Sequence, residues 1–307
     1  MAPAHCEDTL IESLPASTLS RPASQSVSVV VPAYNEAEHI AEGLRELQAV
    51  MRSTGWEYEI LVVDDGSEDG TAEAASTVGV RVLRTPTNRG YGASLKAGIR
   101  CAQHPWILIT DADGTYPAGA VPELLAQTAT ADMVVGARTG TTVKIPWLRR
   151  PPKAFLRWLA SYLAEQDLPD INSGLRLMHR DLIARYEHLL PNGFSFTTTI
   201  TLAAACNGHV VTYIPINYFA RQGTSKIRPR HAFDFALLTV RTVVFFNPLR
   251  VFLPLGGFLA VAGLAKLVYD ITRNNLSESA VLALLGALVV WAVGLLADQN
   301  AQLASSR

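Results

Sequence analysis

The sequence predicts an α/β domain built on a mostly parallel, Rossmann-like sheet, followed by an interfacial helix and two transmembrane helices. Three observations carry that expectation. Short Val- and Ile-rich runs alternate with segments of helical spacing, the pattern of βαβ units. The runs end in polar clusters, and strand ends are where open parallel sheets bind ligands. Two long apolar stretches lie near the end of the 307-residue chain, each close to the roughly 20 residues that span a bilayer.

Residues 1–26 are rich in Ser, Ala and Pro, without a continuous apolar run or an early positive cluster. They are expected to form a disordered leader and not a signal peptide. A first strand at 27–31 ends at Pro32, and residues 36–51 place Ile40, Leu44 and Leu47 on one helical face. A second strand at 59–63 closes on Asp64-Asp65-Gly66-Ser67, a helix starts near Thr71, and 80–83 reads as a third strand. Residues 94–102 read as a helix and 106–110 as a fourth strand leading into Asp111. This alternation implies right-handed crossovers and a parallel sheet. The domain is expected to occupy residues 27–230.

Composition shifts near residues 150 and 231. Residues 152–163 carry Phe155, Leu156, Leu159 and Leu163 at helical spacing, with Lys153 and Arg157 on another face. That pattern fits either a core helix or an amphipathic surface helix. Residues 231–248 repeat it with Phe233, Leu237, Val240 and Val244, and their place before an apolar stretch predicts an interfacial helix. Residues 249–298 are the expected transmembrane hairpin. Its first span, 251–271, is interrupted only near its far end by Lys266 and Asp270, and its second, 280–297, is wholly apolar around Trp291. Arg221, Lys226, Arg228, Arg230, Arg241 and Arg250 precede the first span, whereas the connector offers Arg273. The positive-inside rule therefore predicts a two-span membrane protein with its large domain and both termini in the cytoplasm.

A formal net charge of −1 argues against nucleic acid as a partner. Hydrophobic residues make up 49% of the chain and mean hydropathy is +0.19, with the excess concentrated after residue 230. Cys6, Cys101 and Cys206 form no CxxC and no disulfide framework, which fits a reducing compartment. The seven histidines form no HxxxH or HExxH, so zinc is not expected.

Asp111-Ala112-Asp113 follows a strongly apolar strand. Two carboxylates so placed can hold one Mg²⁺ or Mn²⁺ while leaving positions for diphosphate oxygens. Alone the motif is weak, because turns are full of aspartate. Its neighbours strengthen it: Pro32-Ala33-Tyr34-Asn35-Glu36 ends the first strand and Asp64-Asp65-Gly66-Ser67 the second. In this order the motifs resemble the family 2 glycosyltransferases of the GT-A fold. Val135-Gly136-Ala137-Arg138, Asn172-Ser173-Gly174-Leu175-Arg176 and Arg221-Gln222-Gly223-Thr224-Ser225-Lys226 narrow the resemblance to the branch of dolichol-phosphate mannose synthases and bacterial polyprenyl-phosphate glycosyltransferases. It covers residues 27–226.

The resemblance implies inverting transfer of a hexose from a nucleotide-sugar, of the GDP-mannose or UDP-glucose type, to a polyprenyl or dolichyl phosphate. It implies that Pro32, Tyr34, Glu36, Val63 and Asp65 line the base and ribose. Asp111 and Asp113, with the Ala112 backbone between them, would hold the metal and diphosphate. Arg138, Arg221 and Lys226 would neutralise donor and acceptor phosphates, as guanidinium and ammonium groups do. Arg149, Arg150 and Lys153 would meet the lipid head group or form a solvated basic patch. The chain departs from its relatives in three places: Thr115 replaces a common Gln, Thr197-Thr198-Thr199 follows Gly193-Phe194-Ser195-Phe196 without an acidic residue, and Leu175 stands where some relatives carry Asp. Asp170 is the remaining candidate for a general base. A base is dispensable, since a phosphate monoester with a second pKa of about 6 is already anionic at neutral pH. Two other readings stand beside this one. A processive or non-lipid-acceptor synthase would carry Gln-x-x-Arg-Trp, but Ala154 precedes Arg157-Trp158 where Gln belongs. A non-catalytic membrane scaffold would not need both aspartates. The oligomeric state, a homo-oligomer included, is open.

Overall fold

The computed structural model describes residues 25–139, 161–162, 166–219, 248–273 and 277–305. Most of the expected leader, the basic segment with Arg149, Arg150 and Lys153, the cations Arg221 and Lys226, and all but the last residue of the interfacial helix expected at 231–248 lie outside these residues. The first apolar run forms β1 (Ser26–Ala33), which extends past Pro32. Its neighbour β4 (Trp106–Ile109) pairs only as far as Val30, so the missing N–H of Pro32 breaks no ladder bond on that side.

The amphipathic segment becomes α1 (Ile40–Thr54), which buries Ile40, Leu44, Leu47 and Met51. β2 (Glu57–Asp64), α2 (Thr71–Ser76) and β3 (Arg81–Arg84) follow where expected. α3 (Tyr91–Cys101) begins three residues ahead of its apolar periodicity, because Gly90 ends the preceding turn and Tyr91 and Gly92 join the first helical turn. Beyond β4 come α4 (Val121–Ala126), β5 (Met133–Ala137), β6 (Arg176–His179), α5 (Arg180–Tyr186), α6 (Phe196–Cys206) and β7 (Val211–Pro215).

The strands form one sheet in the order β3-β2-β1-β4-β6-β5-β7. Most pairs are parallel, but β6 runs antiparallel to both β4 and β5. An inverted strand starts where its neighbours end. Residues 170–175 therefore join the rim made by the C-terminal ends of β1, β2, β4 and β5, which a sheet of parallel strands alone would not arrange. Alternate side chains bury on opposite faces. Val29, Val31, Leu108 and Leu177 meet α1 and α4, while Val30, Leu61, Ile107 and Met178 meet α3, α5 and α6.

Two apolar helices close the chain, α7 (Leu249–Thr272) and α8 (Glu278–Ser305). The 24 residues of α7 reach about 36 Å at 1.5 Å each, more than the roughly 30 Å of a hydrocarbon core. Their large side chains face outward, with Phe258 71% and Leu282 67% exposed, the reverse of a core helix in a soluble domain. Glycines make the contact between them: Gly256 lies against Trp291, Gly263 against Leu284 and Gly294 against Phe252, the close approach by which membrane helices associate. The Trp291 indole donates to the Leu253 carbonyl at 3.2 Å. Near the connector Asp270 pairs with Lys266 and accepts from Ser277, so neither charge of that pair is left uncompensated. α8 continues past the expected end at residue 298, since no Gly or Pro follows to stop it.

Candidate active site

The site begins with two loops joined to each other. Asn35, at φ +53°, donates its N–H to Ser67 Oγ (3.0 Å) and accepts the Glu68 N–H on its side chain (3.1 Å). The N–H groups of Glu36 and Ala37 donate to Thr71 Oγ1 and Asp69 Oδ2. Tyr34 and Glu36 are thereby held half-buried on the rim, with Pro32 buried beneath them. Val63 is not brought there. Its side chain is fully buried in the core under α3, one residue short of the rim, so it supports the crevice without lining it.

Asp65 is also buried, and its oxygens accept the N–H groups of Arg89 (2.9 Å) and Gly90 (2.8 Å). It braces the turn that leads into α3. The chain's own backbone covers this turn. A Cβ on Gly92 would collide with the Pro191 carbonyl oxygen, and Ala93 N–H donates to Asn192 O (3.0 Å). An open cavity of about 550 Å³ adjoins the turn, lined by Asp65, Thr85, Arg89, Lys96, Arg100 and Asn192, and neither Asp111 nor Asp113 reaches it.

Asp111 and Asp113 leave β4 on the same rim, with buried Ala112 between them. Tyr91, at the start of α3, donates its phenol to Asp111 Oδ1 (3.0 Å) and stacks on Phe194 at 5.7 Å. Burial, then the Asp111 charge, raises the Tyr91 phenol well above its ordinary range, so it stays a donor. On the other side Gly174 presses against the same carboxylate, and a Cβ there would lie 2.6 Å from Asp111 Oδ2. Asp113 Oδ1 accepts from Thr115 Oγ1 (2.6 Å) and the Thr115 N–H (3.2 Å). Thr115 thus orients the second aspartate. This all-oxygen pair suits a hard divalent cation that draws its other ligands from water and phosphate. Among the described residues no cluster of three His, Cys, Asp or Glu offers a closed protein cage instead.

The 170–176 segment completes the rim. Asp170 accepts from Arg138 Nε (2.7 Å), Nη2 (2.9 Å) and backbone N–H (3.1 Å). Burial would raise its carboxyl, but the Arg138 hydrogen bonds and charge prevail and hold it below the usual range. Asp170 therefore does not suit the role of general base: its lone pairs are engaged and its basicity is reduced. It serves Arg138, whose guanidinium also lies 5.3 Å from the Tyr218 ring. Asn172 accepts from Thr197 Oγ1 and Thr198 Oγ1, so these threonines hold this loop. Ser173 Oγ donates to Gly136 O (2.6 Å) and Gly174 N–H to Tyr116 Oη (2.6 Å). Arg176 is fully buried and donates to Ser173 O, Thr197 O and Thr201 Oγ1, tying β6 to α6. Tyr91, Tyr116, Gly174 and Arg176 were not among the expected site residues. Gly174 and Arg176 belong to a recognised motif, but the contacts that give them roles are long-range.

A sheet of this topology with Asp-x-Asp after its fourth strand defines a glycosyltransferase of the GT-A fold. The chain belongs to glycosyl transferase family 2, whose family model matches residues 28–186. A second model, the GtrB C-terminal hairpin, matches residues 247–303. The chain is 31% identical over 205 residues to the dolichyl-phosphate hexose transferase of Haloferax volcanii, covering 66% of this chain and 87% of that one. It is 31% identical over 255 residues to the undecaprenyl-phosphate 4-deoxy-4-formamido-L-arabinose transferase of Pseudomonas paraeruginosa, covering 77% and 70%. Among solved structures, mannosyl-3-phosphoglycerate synthase from Rubrobacter xylanophilus aligns with a TM-score of 0.57 at 22% identity, over 71% of this chain and 73% of that one. Glucosyl-3-phosphoglycerate synthase from Mycobacterium tuberculosis, in complex with Mn²⁺, UDP and phosphoglyceric acid, aligns at 0.56 and 20%, over 71% and 77%. At such identities the likeness is one of fold.

Proposed function

We propose that the protein transfers a hexose from a nucleotide-sugar to a polyprenyl or dolichyl phosphate at the cytoplasmic membrane face, with inversion. The observation that carries this reading is the union in one chain of a family 2 catalytic rim and a long apolar hairpin, in a sequence whose relatives are dolichyl- and undecaprenyl-phosphate transferases. Asp111 and Asp113 would hold Mg²⁺ or Mn²⁺, which supplies charge neutralisation for the departing nucleoside diphosphate. The chain's own residues do the rest. Tyr91 and Gly174 fix the Asp111 carboxylate, Thr115 fixes Asp113, and Arg138 presents a guanidinium whose orientation Asp170 maintains. Arg221 and Lys226 are assigned to the phosphates by their motif. A phosphate oxygen of the acceptor attacks the anomeric carbon, and the bond to the diphosphate oxygen breaks with its electron pair leaving on the nucleotide. No proton need be removed, which agrees with a rim whose Asp170 is engaged by Arg138.

The test supplies purified enzyme with labelled UDP- and GDP-sugars, Mg²⁺ or Mn²⁺, and polyprenyl phosphate. Label entering the organic phase is expected, and label found only on free glycans or protein would refute the reading. Asp113→Asn is expected to lower transfer by roughly 100-fold or more, the scale of losing a charge-stabilising group. The same variant should lose Mn²⁺ binding measured by calorimetry.

A further inference from the structure

We propose that the first turn of α7 is a positioning element of the active site, acting through Arg250 and Val251 on the segment that carries Asp170, Asn172 and Gly174. This rests on the transfer reaction proposed above and assigns the hairpin a part beyond anchoring. Arg250 stands where a basic residue would ordinarily face lipid head groups. It turns back instead. Its Nη1 donates to the Tyr162 carbonyl at 2.6 Å, and its guanidinium carbon lies 5.9 Å from the Tyr162 ring centroid. Next to Tyr162, Ser161 Oγ accepts the N–H of Leu168 at 3.0 Å. Leu168 is fully buried and Ile171 nearly so, in a cluster with Leu202 and Ala205 of α6, and Val251 packs against that cluster. The hairpin's first turn is therefore a wall of the small core beneath the 166–171 segment.

From that core the path to the metal aspartate consists of short contacts. Asp170, between Leu168 and Ile171, holds Arg138 and accepts the Asn172 N–H at 3.1 Å. Ser173 is pinned to Gly136, and Gly174 lies against Asp111. Packed cores move as units and do not yield gradually. A lipid-bound acceptor reaches the rim at a height set by the bilayer, and α7 is the element that shares that bilayer. Linking its first turn to the 170–174 loop fixes the catalytic rim relative to the plane from which the acceptor phosphate arrives.

The test uses the full-length enzyme in detergent micelles, where anchoring no longer limits activity, with labelled nucleotide-sugar and saturating polyprenyl phosphate. Arg250→Ala is expected to lower kcat about tenfold, the scale of one well-placed hydrogen bond to an ordered loop, without changing KM for the nucleotide-sugar. Hydrogen exchange should quicken at amides 168–175 and stay unchanged in β1. Arg250→Lys, which still reaches the Tyr162 carbonyl, should recover most of kcat. An unchanged kcat overturns the proposal, and so does a lower kcat without faster exchange at 168–175. A wild-type enzyme that transfers no sugar to the lipid refutes the proposed function instead, and the exchange measurement then decides the link alone.

Discussion

Asp111 owes its orientation to residues far from it in sequence. Tyr91 donates to one oxygen, and Gly174 leaves room for the other only because it has no side chain. Gly174→Ala would place a methyl group 2.6 Å from Asp111 Oδ2, so the carboxylate must turn away. If Asp111 holds the proposed cation, a change of this kind beside it should weaken metal binding by roughly 10- to 100-fold. Calorimetric titration of Mn²⁺ with nucleoside diphosphate should show that loss while the unfolding temperature stays close to wild type. Equal affinity in the variant would remove Gly174 from the site. The same scale explains Val63, which only the family resemblance placed at the donor. Both faces of the sheet are covered by helices, so Val63, still paired inside β2, is buried under α3, and only residues beyond the strand's end reach the rim.

At the scale of the element, β6 makes the difference. Its inversion delivers residues 170–175 to the rim, and the pairing of Asp170 with Arg138 clasps that segment to the end of β5. Both side chains are largely buried, at 18% and 5% exposure, so removing one partner leaves an uncompensated charge and costs about 3–5 kcal/mol. The pair also sets a pH dependence. Asp170 is held below its unfolded value, so its stabilisation is present above the unfolded carboxylate pKa of about 4 and is lost as pH falls through the lower folded value. Thermal unfolding across roughly pH 3 to 7 should show the wild type losing stability only at the acid end. Asp170→Asn should be less stable at neutral pH and flatter on acidification. A wild-type profile with no acid loss relative to the variant would show that the pair contributes nothing.

For the whole molecule the question is orientation. α7 and α8 run antiparallel with outward apolar faces, so the ends of the hairpin and its connector should lie on opposite sides of the bilayer. The excess of basic residues before α7 predicts that the catalytic domain is cytoplasmic. Cysteines introduced as Glu123→Cys in the domain and Gln302→Cys near the end of α8 should resist an impermeant maleimide in intact cells and react after permeabilisation. Arg273→Cys in the connector should react without it. Labelling of Glu123→Cys in intact cells would reverse the orientation and with it the side on which the donor is consumed.

Periodicity, strand ends and apolar length are local quantities, and they were enough to place the first four strands, the Asp-x-Asp rim and the two long apolar helices. A sequence carries no comparable local record of strand direction or of which distant groups meet. The inverted β6, the hydrogen bond between Tyr91 and Asp111 across 20 residues and the clasp of Arg138 on Asp170 across 32 arise only when the sheet is assembled. So does the contact of Arg250 with Tyr162 across 88 residues. Which residues carry charge at the rim was written in the sequence. What aims those charges was decided by tertiary structure, because aiming depends on neighbours that only folding brings together.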